Sequence, residues 1–204
     1  MCIRDRANIN SLKTDQKIPN FIKEKDINYL FDNLKVENNF EGQRDLLILE
    51  LLYGTGIRIS ELINLKTKNV NIIKKEIKVL GKRKKERIIP IHDHILNQID
   101  RFTNKKNDII SDQEYLLCTK KGDQLYPMLI YRIVKKHLSS LINSKQYNPH
   151  LLRHTFATHI LNKGGDLNSI KDLLGHESLA ATQIYTHNSI EKLKETFKAS
   201  HPRA

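Results

Sequence analysis

At 204 residues the chain can build one sizeable core, or one large and one small domain. Its 39% hydrophobic and 28% charged residues fit a soluble globular protein, and no apolar run approaches the roughly 20 residues of a membrane span. The net charge of +12 favours a polyanionic partner, while the two cysteines, Cys2 and Cys118, exclude a disulfide framework and a four-cysteine metal site.

Residues 1–19 are polar and aperiodic and predict a linker or a cut N-terminal end. "MCIRDRANIN" has no apolar stretch, so a signal peptide is not expected, and the cysteine usage fits a reducing cytoplasm. "NFIKEKDINYLFDNLK" has helical spacing, with Asn20 or Asp26 as its start. "GQRDLLILELLYGTG" predicts a more apolar, central helix stopped by Gly54 and Gly56. "RISELINL" resumes as a short helix, broken from the last at Arg58 or Ser60.

The period then changes. "NVNIIKKEIKVLGKRKKERIIPI" alternates apolar and polar residues, predicting three short antiparallel strands with turns near Lys74-Lys75 and Lys82–Lys85. Residues 66–106 hold thirteen Lys or Arg against four Asp or Glu, so the positive charge lies on or beside this sheet. A lysine-rich solvated surface is the alternative explanation, since Asn, Ile and Lys are all abundant. Helices are predicted at about 93–102, 127–143, 149–163, 167–174, 178–186 and 189–199, punctuated by Gly164-Gly165 and Gly175. The fold class expected is mainly α with a small three-stranded antiparallel sheet, α+β.

Within "PHLLRHTFATHI" a helix places His150 and Arg153 one turn apart, with His154 and His159 further along. His176 follows Gly175, and Tyr185 lies nine residues on. Arg58 sits at the glycine-marked break and Lys82 at a strand turn. Singly, each has an ordinary structural explanation. Together, two arginines, two histidines, a lysine and a tyrosine suit phosphoryl transfer without a metal. Arginine forks match phosphate oxygens, histidine and lysine move protons, and a tyrosine hydroxyl can form a covalent intermediate. His92 and His94 in "IHDH" make a poor metal pair, and Glu61, one turn after Arg58, is as readily a surface partner as one that orients an arginine.

"TGIRISEL", "GKRKKERIIPI", "HLLRHTFATHIL", "LLGHESLAATQIYTH" and "HPRA" together resemble the tyrosine recombinases, the phage integrase family, and most nearly their Xer type. The resemblance covers residues 20–204 and implies the family's catalytic domain with a C-terminal tail helix at 189–199. It implies catalytic roles for Arg58, Lys82, His150, Arg153, His176 and Tyr185, the last as nucleophile. Lys84 or Lys85 is the alternative to Lys82 as general acid. Arg83, Lys84, Lys85 and Arg87 are expected to contact DNA. His154 and His159 are expected to pack and hydrogen-bond.

The implied activity is site-specific cleavage and rejoining of DNA through a 3′-phosphotyrosine, as in chromosome-dimer resolution during chromosome partition and cell division. Neither metal, cofactor nor ATP is expected. The implied partners are a double-stranded recombination site and, on it, a homo- or hetero-tetramer with related recombinases, with no membrane and no small-molecule substrate. The alternatives are a mobile-element integrase, or a DNA-binding fragment without full activity, because residues before 20 are too few for the family's N-terminal clamping domain. The apolar stripe Ile190, Leu193 and Phe197 is expected either to dock on a neighbouring protomer or to cover the domain's own core.

Overall fold

The computed structural model describes residues 21–81, 86–110, 113–140, 147–175, 197 and 199. Two helices, α1 (Glu24–Asn33) and α2 (Phe40–Thr55), lead into a short α3 (Ile59–Ile63). A 3-10 turn at Thr67–Asn69 then enters the strands β1 (Val70–Asn71), β2 (Glu76–Leu80) and β3 (Glu86–Pro90). After the sheet come α4 (Asp93–Asn107), α5 (Pro127–Ser139), α6 (Pro149–Asn162) and α7 (Leu167–Leu174). This is the mainly helical α+β architecture the periodicity predicts.

α2 is the central element. From Leu47 to Thr55 every residue is buried, so the helix is apolar on all sides. It packs against α4 and α6. It begins earlier than the apolar run indicated, because the Asn39 side chain accepts from Gly42 N at 2.8 Å and caps it. It ends one residue after Gly54, where Gly56 turns left-handed at φ 60°. A Cβ on Gly56 would sit 2.5 Å from Phe156 Cδ1, so this C-cap also sets how closely α2 meets α6.

The strands pair in order β1-β2-β3, both pairs antiparallel. Ile77 faces Ile89 and Val79 faces Arg87 in the register, so the inward face carries Ile77, Val79, Arg87 and Ile89. The β1–β2 turn falls at Lys74-Lys75 as predicted, with Lys75 at φ 51°. The second turn, residues 82–85, lies outside the described residues.

α1 differs at its start from both expectations. Lys23 occupies the cap position with extended backbone, and Asp26 lies in the first turn. The reason is a tertiary anchor. Ile22 N donates to Thr155 Oγ1 at 3.0 Å and Ile22 O accepts from His159 Nε2 at 2.9 Å, which holds the entering chain straight. α4 runs five residues beyond the predicted end, to Asn107. Lys106 is buried there, donating to Tyr115 O at 2.8 Å and to Gln113 O and Thr67 Oγ1 at longer range. That staple joins α4 to the loop after it and to the turn before β1.

Of the predicted C-terminal helices, the 178–186 segment lies outside the described residues, as do Ile190 and Leu193 of the tail stripe. Phe197 is helical and 3% exposed, stacked on His92 at 4.6 Å between ring centroids and tilted against Phe156 at 6.3 Å. This part of the stripe therefore contributes to the domain's own core.

Candidate active site

Three arginines converge where the ends of α2 and α7 meet α3 and the sheet. Arg58 is the N-cap of α3 and forms a reciprocal box with Glu61. Its backbone N donates to Glu61 Oε2 at 2.8 Å and its Nη1 to Oε1 at 2.9 Å. Its Nη2 donates to Gly175 O at 2.5 Å. Arg87 reaches the same carboxylate from β3: Nη2 donates to Oε2 at 2.7 Å and Nη1 donates to Oε1. Its Nε donates to Leu173 O at 2.9 Å. Arg153, on α6, donates through Nη2 to Leu174 O at 2.6 Å and through Nη1 to Gly56 O.

A helix C-terminus leaves carbonyls without intrahelical donors and carries partial negative charge. Gly56, Leu173, Leu174 and Gly175 supply such carbonyls from the ends of α2 and α7. The guanidinium groups fill them, so helix ends and arginines fix one another. Gly175 is needed for this. It sits at φ 63°, and a Cβ there would approach Arg58 Nη1 at 3.2 Å and Arg87 Cδ at 3.4 Å.

The cluster holds three cations and one carboxylate. Glu61 is buried and accepts four hydrogen bonds, two on each oxygen. Burial raises its pKa, but the bond and charge of Arg87, then the bonds from Arg58, outweigh it and hold the carboxyl below its usual range. Arg153 is 9% exposed, and burial, then the neighbouring Arg58 and Arg87, push its pKa down to about 10. It remains a cation at neutral pH. The Arg58 side chain is one third exposed and opens the cluster to solvent. A preorganised surplus of positive charge under a partly open arginine stabilises an anion better than mobile water does.

The sequence-predicted residues divide clearly. Arg58 and Arg153 come together here. His150 is exposed on the first turn of α6, one helical turn before Arg153; Pro149 opens that helix and the Asn148 side chain accepts from Leu151 N at 2.9 Å. Lys82, Arg83, Lys84, Lys85, His176 and Tyr185 lie outside the described residues. Arg87, expected with the DNA-contacting turn, is instead 5% exposed and turned into the cluster. Glu61 is the orienting carboxylate rather than a surface partner. The strand alternation signalled Arg87's position, since it puts Arg87 on the face of Ile89. No local pattern pairs it with Glu61, 26 residues earlier.

Three further described histidines sit in structural surroundings. His159 is buried between the Tyr53 hydroxyl, 3.0 Å from Nδ1, and Ile22 O. His154 lines a cavity of about 360 Å³ with Ala157, Leu161, Leu167 and Ile170. His94 lies 3.0 Å from Glu50. Among the described residues no three His, Cys, Asp or Glu side chains are grouped to hold a metal, and no helix is long and apolar enough to cross a membrane.

The fold is thus a helical domain with a three-stranded sheet, and three of its arginines converge on the ends of two helices. The profile described as the phage integrase family matches residues 20–192, and the chain belongs to that family. It is 36% identical over 214 residues to the tyrosine recombinase XerC of Chlorobaculum parvum, covering 94% of this chain and 64% of that protein. It is 39% identical over 194 residues to XerC of Staphylococcus saprophyticus, covering 94% and 65%. The chain thus spans just under two thirds of the curated relatives it matches. Among solved structures it resembles the XerA recombinase, with TM-score 0.71, 29% identity, and 89% and 65% of the two chains covered. It shares its fold with the XerH recombinase in a post-cleavage complex with a palindromic difH substrate, at TM-score 0.74 and 24% identity, covering 91% and 54%.

Proposed function

We propose that the protein is a site-specific DNA recombinase of the Xer type, which cleaves and rejoins strands through a 3′-phosphotyrosine. The observation that carries this reading is the largely buried cluster of three arginines, which among the described residues holds one carboxylate. It fits an anionic pentavalent phosphate better than a neutral ligand. The XerC relatives, at 36% and 39% identity, favour the Xer type over a mobile-element integrase.

In this mechanism the Tyr185 hydroxyl gives its proton to one of the site histidines as its oxygen attacks the scissile phosphorus, and the bond from phosphorus to the 5′-oxygen breaks. Lys82, which lies between β2 and β3 in the sequence, gives the leaving 5′-oxygen its proton. Arg58 and Arg153 stabilise charge on the non-bridging oxygens, with His150 and His176 at the same phosphate. The 5′-hydroxyl of a partner strand then attacks the phosphotyrosine, and the tyrosine oxygen leaves. The covalent link retains the bond energy, so joining needs no nucleotide. The substrate is duplex DNA carrying a recombination site, bound by a tetramer on two duplexes in the cytoplasm. Resolution of chromosome dimers is the role this implies.

A nicked suicide substrate tests the reading. The intact chain is expected to give a covalent protein–DNA band, and Tyr185→Phe to give none while binding DNA with near-normal affinity. A normal yield of adduct in that variant would disprove the assignment. Lys82→Ala is expected to slow cleavage, with rescue by a 5′-phosphorothiolate, because sulfur leaves without a proton. Rescue of Lys84→Ala or Lys85→Ala instead would move the general acid along the turn.

A further inference from the structure

We propose that Arg87 is a positioning residue for strand cleavage, joining the sheet, α3 and the end of α7 into one frame that aims Arg58. This rests on the recombinase reading above. An arginine on the inward face of a strand is unfavourable unless a buried acid pairs with it and its remaining donors are used. The acid is Glu61, whose two oxygens accept from two of the Arg87 nitrogens, and Nε donates to Leu173 O. At 5% exposure the guanidinium is poorly placed to contact a DNA backbone passing over the surface.

The consequence for Arg58 follows from sharing. Glu61 Oε1 accepts from both Arg58 Nη1 and Arg87 Nη1, and Oε2 from the Arg58 backbone and Arg87 Nη2. Arg58 also binds Gly175 O, two residues after the carbonyl Arg87 holds. Without Arg87, Glu61 presents its whole charge to Arg58, and the end of α7 loses its tie to β3. Arg58 is then drawn onto the carboxylate and its free donors turn from the phosphate. Lysine cannot replace this arrangement, since a point charge does not span two carboxylate oxygens and a carbonyl in one plane.

Arg87→Lys and Arg87→Gln test the proposal, each alone and with Arg58→Ala. Half-site affinity is read by gel shift at two salt concentrations, and adduct formation on the nicked substrate at saturating protein. Folding is followed by thermal circular dichroism. Arg87→Lys is expected to melt cooperatively, bind DNA within about twofold of wild type with an unchanged salt dependence, and form adduct about tenfold slower or worse, as small misplacements of a reacting geometry do. Arg87→Gln is expected to be slower again. In an Arg58→Ala chain either change is expected to add little, because the two act through one contact. A general loss of folded protein would add fully.

Normal adduct formation in either variant would overturn the proposal, as would losses additive with Arg58→Ala. Weakened binding with a shallower salt dependence would make Arg87 a phosphate contact instead. An Arg87→Lys chain that no longer folds would make it a folding residue and also overturn the proposal. Absence of adduct in the unaltered chain would remove the recombinase reading itself, an outcome distinct from a loss confined to the Arg87 variants.

Discussion

Arg153 and Arg58 have different supports, and this sets what each substitution does. Arg153 is buried on neutral carbonyls, whereas Arg58 is part-exposed and ion-paired to Glu61. In the proposed mechanism both stabilise developing negative charge, so Arg58→Ala and Arg153→Ala are each expected to slow adduct formation by about 10²-fold or more. Cleavage of the nicked substrate within a few-fold of wild type would remove that arginine from the chemistry. His159 poses a separate question of stability. Burial is the main cause of its lowered pKa, so the folded chain takes up this proton less readily than the unfolded chain, which does so below about pH 6.5. The unfolded state then binds more protons, and stability falls as pH drops from 7 towards 5. His92, lowered mainly by burial, acts in the same direction. His159→Gln keeps a donor for Ile22 O and does not titrate. Its melting temperature is expected to fall less steeply over that pH range; an unchanged slope would count against the buried neutral histidine.

At the scale of elements, the two left-handed C-caps join secondary structure to chemistry. Gly56 ends α2 under Phe156 and Leu174, and Gly175 ends α7 between Arg58 and Arg87. Both φ values are strained for any residue with a Cβ, at about 1 kcal/mol or more. Gly56→Ala adds a 2.5 Å approach to the fully buried Phe156 ring. Gly56→Ala is therefore expected to lower the urea midpoint more than Gly175→Ala. Gly175→Ala is expected to show the larger loss of adduct formation per folded molecule, because its Cβ meets the arginines. The reverse ranking in either assay would mean that these caps do not separate packing from catalysis.

For the whole molecule, the C-terminal tail is the element whose role depends most on context. Phe197 is buried in the core beside Phe156, itself on the helix that carries Arg153. Phe197→Ala is expected to destabilise the isolated chain by about 3 kcal/mol, the scale for truncating a buried aromatic ring. Deleting residues 189–204 is expected to do at least as much. Unchanged urea midpoints would mean that the tail serves a neighbouring protomer instead. The fold and half of the cluster were legible in the residues alone: the change of period marked the sheet, the glycines marked the helix ends, and the motif spacing singled out Arg58 and Arg153. The extension of α4 was not, because its last turn depends on Lys106 finding three oxygen acceptors in segments outside the helix.

Local sequence determined what local forces govern: helical and strand periods, left-handed glycine caps, the Pro149 helix start, and the net charge of +12. Tertiary structure decided which charges meet. Arg87 reads as one more cation in a basic stretch until strand register turns it inward, where a buried charge requires a partner. Glu61 reads equally as a surface partner or as an orienting acid until Arg87 of β3 closes on its carboxylate. A buried charge is stable only where distant backbone and side chains supply its hydrogen bonds together, and spacing along the chain does not encode that coincidence.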